Sequence, residues 1–535
     1  MIAFGLIIHA LAVQNTDDGA LLIHAWYNAD WFKHMGHVAS LRNSGIPARD
    51  IFNAMEPLHY YWLSYLLPAA GSSLGGHNSA ALITAQAIIV GLLCTTLYGT
   101  LRATLITRAI ALVGAILAFL LCVPLDVWFA ILSIGFEGYV NAPLQPNFPS
   151  LLATALYIPQ HTLVLTLFLS WFLLDRPSHY APRLLRLFAL LSLASALTVS
   201  TLLGACVLAA YGLLQLWRRG VSSVVEVAFM AFLSAALTFA LGVISLDNPA
   251  SAIDSPLLTD ASGSASLATL MLQQVLKAIS EGGLPLALAL VILVLSRNDR
   301  RTLVETDGRR LAIVLLAIAL TAPALAEALL SPRLAFELSI RAAYLSAIAV
   351  AIVLTSVFDK AWRNGQKQRS RALCVLVVLI VIAAPSFVAL TVWHGNTSDN
   401  FTTEVPGDDR KVLALISQRA APNDLVWQYP EPPFLARPSG RDAWVATIAG
   451  RAVTGSLRAT HYKLAEPRIA AARTFYGGKS DMEIDEDVSW IYLSRTLHPL
   501  TFERLVVRMQ SQQGWSQIMC YPDACLFKRE RSDSP

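Results

Sequence analysis

Asp30, His34 and His37 stand at i, i+4 and i+7 in the stretch Asp30-Trp-Phe-Lys-His-Met-Gly-His37, so on a helix a carboxylate and two imidazoles share one face. A carboxylate there has the chemistry of a general base, and the three groups together have the ligand types of a metal site. A second dense patch, Glu56-Pro-Leu-His59-Tyr60-Tyr61-Trp62, follows after Gly45-Ile-Pro47. Ionisable groups crowded beside long apolar runs are costly unless they have a task. The polar stretch is therefore the first candidate for a reaction centre at a membrane surface.

The elements that must carry this stretch are membrane spans. Of the 535 residues 55% are apolar and 14% charged, with a mean hydropathy of +0.54; a soluble globule has about a quarter of its residues charged. Apolar runs cover roughly 1–13, 78–101, 109–125, 160–174, 187–200, 202–216, 221–246, 284–296, 310–330, 339–358 and 372–393, which reads as a polytopic α-helical membrane protein of about eleven transmembrane helices. Between alternate runs sit Arg102 and Arg108; Arg176, Arg183 and Arg186; Arg218 and Arg219; Arg297 to Arg310; and Lys360 to Arg371. The positive-inside rule puts those loops in the cytoplasm, and the loop at 14–77, residues 126–159, residues 247–283 and the C-terminal tail outside. Met1–Val13 gives only about 20 Å of helix. It lacks the charged flank of a cleaved signal, and a start placed too late is the equal alternative. The net charge of +4, with no basic face, excludes nucleic acid as a partner.

Beyond residue 393 the composition becomes that of a soluble domain. Strand-like runs at Leu425-Val-Trp427, Trp490-Ile-Tyr-Leu493 and Cys525-Leu-Phe527 alternate with helical patterns at about 408–420, 465–475 and 500–512. Residues 394–535 are thus predicted to be a small extracytoplasmic α/β domain, and 1–393 the transmembrane module. Cys520 and Cys525 flank Tyr-Pro-Asp-Ala in that outer compartment, where a disulfide is expected. Cys94, Cys122, Cys206 and Cys374 fall in apolar runs and read as small core residues.

A helix over 29–43 would carry Asp30, His34, His37 and Leu41 on one stripe and Trp31, Met35, Val38 and Arg42 on another, the pattern of an amphipathic helix lying on a membrane surface. Gly45 is its expected cap, with Pro47 shortly after. Asp30, Lys33-His34, Leu41, Gly45, Pro57 and Tyr60-Tyr61-Trp62-Leu63 resemble the first extracytoplasmic loop of the GT-C glycosyltransferases, in particular the protein mannosyltransferase and aminoarabinose transferase branch. The sequence likeness spans residues 30–63, and the layout of helices, large first outer loop and C-terminal outer domain is similar too. The resemblance implies an inverting transfer of sugar from a polyprenyl-phosphate donor to a glycan, lipid or protein acceptor on the outer face, with Asp30 as the base. Where relatives carry a lysine before the Pro-Leu-Tyr-Tyr stretch, this chain has Glu56, which cannot bind phosphate.

Other groups must therefore hold the leaving phosphate. Arg341, in Glu337-Leu-Ser-Ile-Arg341, opens a run at the outer boundary and is either a snorkelling anchor or a phosphate ligand. Gln160-His161 begins another outer boundary just after Pro159. Here a capped, satisfied histidine is weighed against a donor or acceptor contact. Arg451, in Ala449-Gly-Arg-Ala-Val, is either a turn residue or a lid over the site. His34, His37, Glu56, His59 and Tyr60 are expected to support the loop or the acceptor. No cofactor is expected to be required, and Asp18, Asp126 and Glu137 are the carboxylates to which a divalent metal would bind.

Two other classes are set against this reading. A transporter or flippase of a lipid-linked glycan would carry charges near mid-span, where only Glu226 and Glu327 qualify. A metalloenzyme would use Asp30, His34 and His37 as ligands. There is no phosphate-binding glycine loop, nucleophile elbow or HExxH. The expected location is a bacterial inner membrane, as part of cell-envelope synthesis.

Overall fold

The computed structural model describes residues 13–24, 30–120 (less 55, 59, 61, 76 and 105), 133, 151, 159–175, 182–243, 267–295, 307–329, 332–378, 402–430, 441–456, 462–479 and 484–530. Two compact units emerge: residues 1–87, 242–252 and 397–535 form the first, and 88–241 with 253–396 the second.

In chain order the first unit holds β1 (Val13–Asn15), β2 (Leu21–His24), α1 (Asp30–Ser44), β3 (Arg49–Asp50), β4 (Glu56–Pro57) and α2 (Leu66–Ser73). It continues with β5 (Thr402–Val405), α3 (Gly407–Arg419), β6 (Leu425–Trp427), β7 (Ala452–Val453), α4 (Tyr462–Tyr476), β8 (Val488–Ser494), α5 (Phe502–Ser511), β9 (Trp515–Cys520) and β10 (Ala524–Arg529). The three helices expected in the tail are all present, and the three expected strands fall within β6, β8 and β10.

The tail sheet runs β7-β6-β8-β10-β9, parallel from β7 to β8 and antiparallel from β8 to β9. Its central strand β8 reads Val-Ser-Trp-Ile-Tyr-Leu-Ser and is buried almost throughout, as a strand covered on both faces must be. Trp427, Phe475, Tyr476, Ile491, Leu505 and Phe527 form the core between sheet and helices. Cys520 and Cys525 are paired in register across β9 and β10 and joined by a disulfide. A second antiparallel sheet, β1-β2-β5, sets Leu21 opposite Val405. The unit is thus made from both ends of the chain.

Among the described residues of the second unit, hydropathic helices long enough to cross a membrane include Asp307–Ala328 and Glu337–Arg363, and the stretch Thr201–Ala240. With Asn78–Ala103 these mark a helical membrane protein. Shorter apolar helices cover Arg108–Phe119 and Gln160–Leu174. The stretch 201–240 is two helices, Thr201–Arg219 and Val224–Ala240, turned at Gly220 in a left-handed φ of 64°. An antiparallel hairpin results, with Val227 packed on Gly212. At its turn Glu226 accepts from Tyr211 Oη (2.7 Å) and pairs with Arg219 (2.8 Å), while Arg218 pairs with Asp175 (3.4 Å) and Asp307 (3.3 Å). Glu226 therefore belongs to an ion-paired hairpin end and is not a mid-span charge.

One boundary is corrected. The run at 284–296 is the end of a helix that starts at Leu267, inside the segment 247–283 expected to be an outer loop. Gln273, Gln274, Lys277 and Glu281 lower the hydropathy there, but none of them breaks a helix.

Candidate active site

Asp30 is the first residue of α1, as expected, and the helix ends where Gly45 takes a φ of 67° and donates its N–H to Leu41 O at 2.9 Å. The two histidines do share a face. His34 lies 5.6 Å and His37 5.4 Å from the Tyr65 ring, centroid to centroid, and Tyr65 Oη is hydrogen-bonded to His34 Nδ1. Tyr60 sits 4.7 Å from His37, with Lys33 Nζ 4.7 Å from the Tyr60 ring centre. Phe52 closes the far side of His37, edge-on at 6.4 Å, in contact with Gly36. The two stretches on which the sequence likeness rests, 30–45 and 57–63, are thus folded onto each other.

The expectation of a surface-lying amphipathic helix is overturned. Trp31, Phe32, His34, Met35, His37, Val38, Ala39 and Leu41 are all buried, so α1 is enclosed on every side. The cover comes from the tail. Asn43 Nδ2 donates to Gly450 O (2.6 Å), Asn78 Nδ2 to Thr447 O (3.0 Å), and the 51–54 backbone is hydrogen-bonded to the 453–456 backbone through Ala54 N to Val453 O (2.8 Å), Val453 N to Ile51 O (2.9 Å) and Ser456 N to Phe52 O (3.0 Å). The tail thus holds the C-terminal end of α1 and the turn that follows it.

His37 is fully buried, and neither ring nitrogen has a partner among the described residues. Burial first, then the charges of Lys33 and His34, hold it well below the usual imidazole range. It is therefore a neutral ring in the aromatic packing of the loop. Glu56 is exposed on β4 opposite Asp50, whose carboxylate accepts from Phe52 N at 3.0 Å. Asp18 caps a turn by accepting from Thr16 Oγ1 and from Ala20 N (3.3 Å), and these bonds pull it below the usual carboxylate range. His59, Asp126 and Glu137 lie outside the described residues. Among the described residues no group of three or more His, Cys, Asp or Glu is placed to hold a metal.

In the second unit His161 packs against the helix that also carries Arg341. His161 Nδ1 is hydrogen-bonded to Ser200 Oγ (2.9 Å), and its ring lies 5.8 Å from Tyr344, one turn along the helix from Arg341. Gln160 is buried with its Oε1 unpartnered among the described residues. The Arg341 guanidinium is ion-paired to Glu337 on the preceding turn and donates to Glu337 O at 2.7 Å. Arg451, in the first unit, donates to three carbonyls: Ala420 O (2.8 Å), Gly450 O (3.1 Å) and Ser417 O. That geometry fixes the turn before β7. Tyr65 carries no signal in the spacing of α1, although its ring meets His34 and His37 there; Arg42, expected on the apolar stripe, instead meets Ser72, Asn78 and Gly450.

No family model matches the chain, and no curated protein does. Two crystal structures of ArnT from Cupriavidus metallidurans are similar over almost the whole length. The apo form is 12% identical with a TM-score of 0.44, covering 92% of this chain and 93% of that one. The form bound to undecaprenyl phosphate is 13% identical with a TM-score of 0.49, covering 99% and 97%.

Proposed function

We propose that this chain is an inverting glycosyltransferase of a bacterial inner membrane, moving a sugar from a polyprenyl-phosphate donor to an acceptor hydroxyl on the extracytoplasmic face. One observation carries the reading. The two stretches that resemble the GT-C first loop pack against each other through Lys33, His37 and Tyr60, with Tyr65 beside both histidines, and α1, headed by Asp30, is clamped by the tail. A general base needs such fixed placement, since positioning supplies much of the rate.

In the proposed step the acceptor oxygen attacks the anomeric carbon as Asp30 takes its proton. The bond from that carbon to the phosphate oxygen breaks, and its electron pair leaves with the polyprenyl phosphate. Within the second unit, Arg341 is separately proposed as a phosphate ligand that would exchange Glu337 for the phosphate. Asp30→Asn tests the reading. Turnover is expected to fall by about 10²–10⁴ with donor binding kept, while amides at Asp17, Asp18 and Glu56 cost less. A wild-type rate in Asp30→Asn would remove the base from this position.

A further inference from the structure

Around Gly450 the first unit brings together two guanidinium groups, neither with a carboxylate in ion-pair reach among the described residues. Arg42, half-buried in the last turn of α1, donates through Nη1 to Ser72 Oγ (3.3 Å) and Asn78 Oδ1 (3.4 Å), both neutral and both long. Its Nε and Nη2 donate to nothing among the described residues. Ser72 and Asn78 are occupied already, since Ser72 Oγ donates to Asn78 Oδ1 at 2.6 Å. Arg42 Nη2 lies against Gly450, which has a φ of 64° and no Cβ; a Cβ there would collide with the guanidinium.

Arg451 follows directly. All three of its nitrogens point at main-chain carbonyls, so the group is held in place without a direct ion pair among the described residues. Asp424, whose charge it feels, accepts instead from Trp490 Nε1 and Ala421 N, both at 2.9 Å. Burial, and for Arg451 also the Arg42 charge, pulls both arginines below the usual guanidinium range. Two like charges half removed from water repel, and proteins normally pair them.

We propose that Arg42 and Arg451 form a binding site for a phosphate dianion, as inorganic phosphate or as a phosphate monoester. Arg42 offers Nε and Nη2 as a fork for two phosphate oxygens, and Arg451 adds a fixed second charge. Two cations balance a dianion, which favours phosphate over a single carboxylate. The site requires no sugar transfer, so it stands or falls separately from the proposed function.

The test uses the full chain in neutral detergent, titrated with inorganic phosphate by calorimetry at constant ionic strength. A second arm uses phosphatidylcholine nanodiscs with and without phosphatidic acid, whose headgroup is a phosphate monoester. Wild type is expected to bind phosphate saturably at one site. Arg42→Gln should weaken binding by about tenfold or more, and Arg495→Gln, on the exposed surface, should leave it unchanged. If phosphatidic acid competes with phosphate, the source is a lipid headgroup; if only free phosphate binds, the source is soluble. Arg42→Lys keeps the charge but loses the fork, and is the variant to read if Arg42→Gln melts early; it too should bind more weakly. No saturable binding in either arm, or wild-type affinity in the Arg42 variants, overturns the site.

Discussion

Gly36 is the point at which the placement of α1 can be tested by a single methyl group. A Cβ at Gly36 would come closer to Phe52 Cζ and Cε2 than the 3.0 Å that real Cβ atoms keep, and 3.2 Å from Cε1. Phe52 is fully buried, so its ring has nowhere to swing. In a free helix Gly→Ala stabilises by ~1 kcal/mol. Overpacking a sealed site costs ~1–3 kcal/mol, rising toward the ~3–5 kcal/mol of losing a buried Phe if the ring is expelled. With the Phe52 ring sealed in place the larger cost applies, and Gly36→Ala should lose about 2–4 kcal/mol net, a fall in melting temperature of about 4–8 °C. If α1 yields instead of Phe52, Asp30 moves with it, and a shift of about 1 Å costs on the order of 10²-fold in rate. Thermal melts of purified protein, with Phe52→Leu alone and combined with Gly36→Ala, complete the cycle; the shorter side chain should recover most of the loss. A Gly36→Ala protein that melts at or above wild type would refute the packing argument, because helix propensity would then have outweighed the contact.

Further outcomes are expected elsewhere. Glu337→Gln removes the partner of Arg341 and should tighten donor binding by a few-fold; unchanged or weaker binding would leave Arg341 as an anchor. In the tail, burial pushes Asp409 up to about 6 from 3.8, so its contribution is full below pH ~4 and lost as pH rises through 6. Burial holds His498 down to about 3 from 6.5, so its contribution is full above pH ~6.5 and lost as pH falls toward 3. The two slopes cancel between pH ~4 and ~6. Hydrogen-exchange protection of β8 should therefore be nearly flat there in wild type, fall with acid in Asp409→Asn, and rise with acid in His498→Phe; equal slopes in all three would sink the assignment. Replacing Cys520 and Cys525 by Ser should cost at most about 3 kcal/mol, because the loop is short, and leave activity intact; loss of the fold would contradict this.

How much of this was legible in the sequence depends on how local the cause is. The bounds of α1, the Gly45 cap and the common face of His34 and His37 follow from spacing alone, as do the tail helices. The burial of α1 does not, because the residues that cover it, from Thr447 to Ser456, lie far along the chain. Spacing marks Trp31, Met35 and Val38 as an apolar stripe without saying whether lipid or protein will meet it. The pairing of β1 and β2 with β5 was hidden for the same reason, and the early start of the helix at Leu267 because hydropathy, not helix propensity, set the expected boundary. Arg341 and His161 were visible as boundary residues, but Glu337 was read only as a flank and not as the partner it is.

The clamp on α1 also sets a schedule. Asn43 donates to a carbonyl 407 residues further along, and Asn78 to one 369 residues away. At about 5–20 residues per second, the ribosome needs roughly 20–80 s to produce the clamp after it has produced the helix. Throughout that interval Trp31, Phe32, Met35 and Val38, sealed in the finished unit, belong to a nascent segment whose cover does not yet exist. The unit that houses α1 is therefore among the last parts of the molecule to be completed, and a chain interrupted before residue 397 leaves the helix headed by Asp30 without its cover.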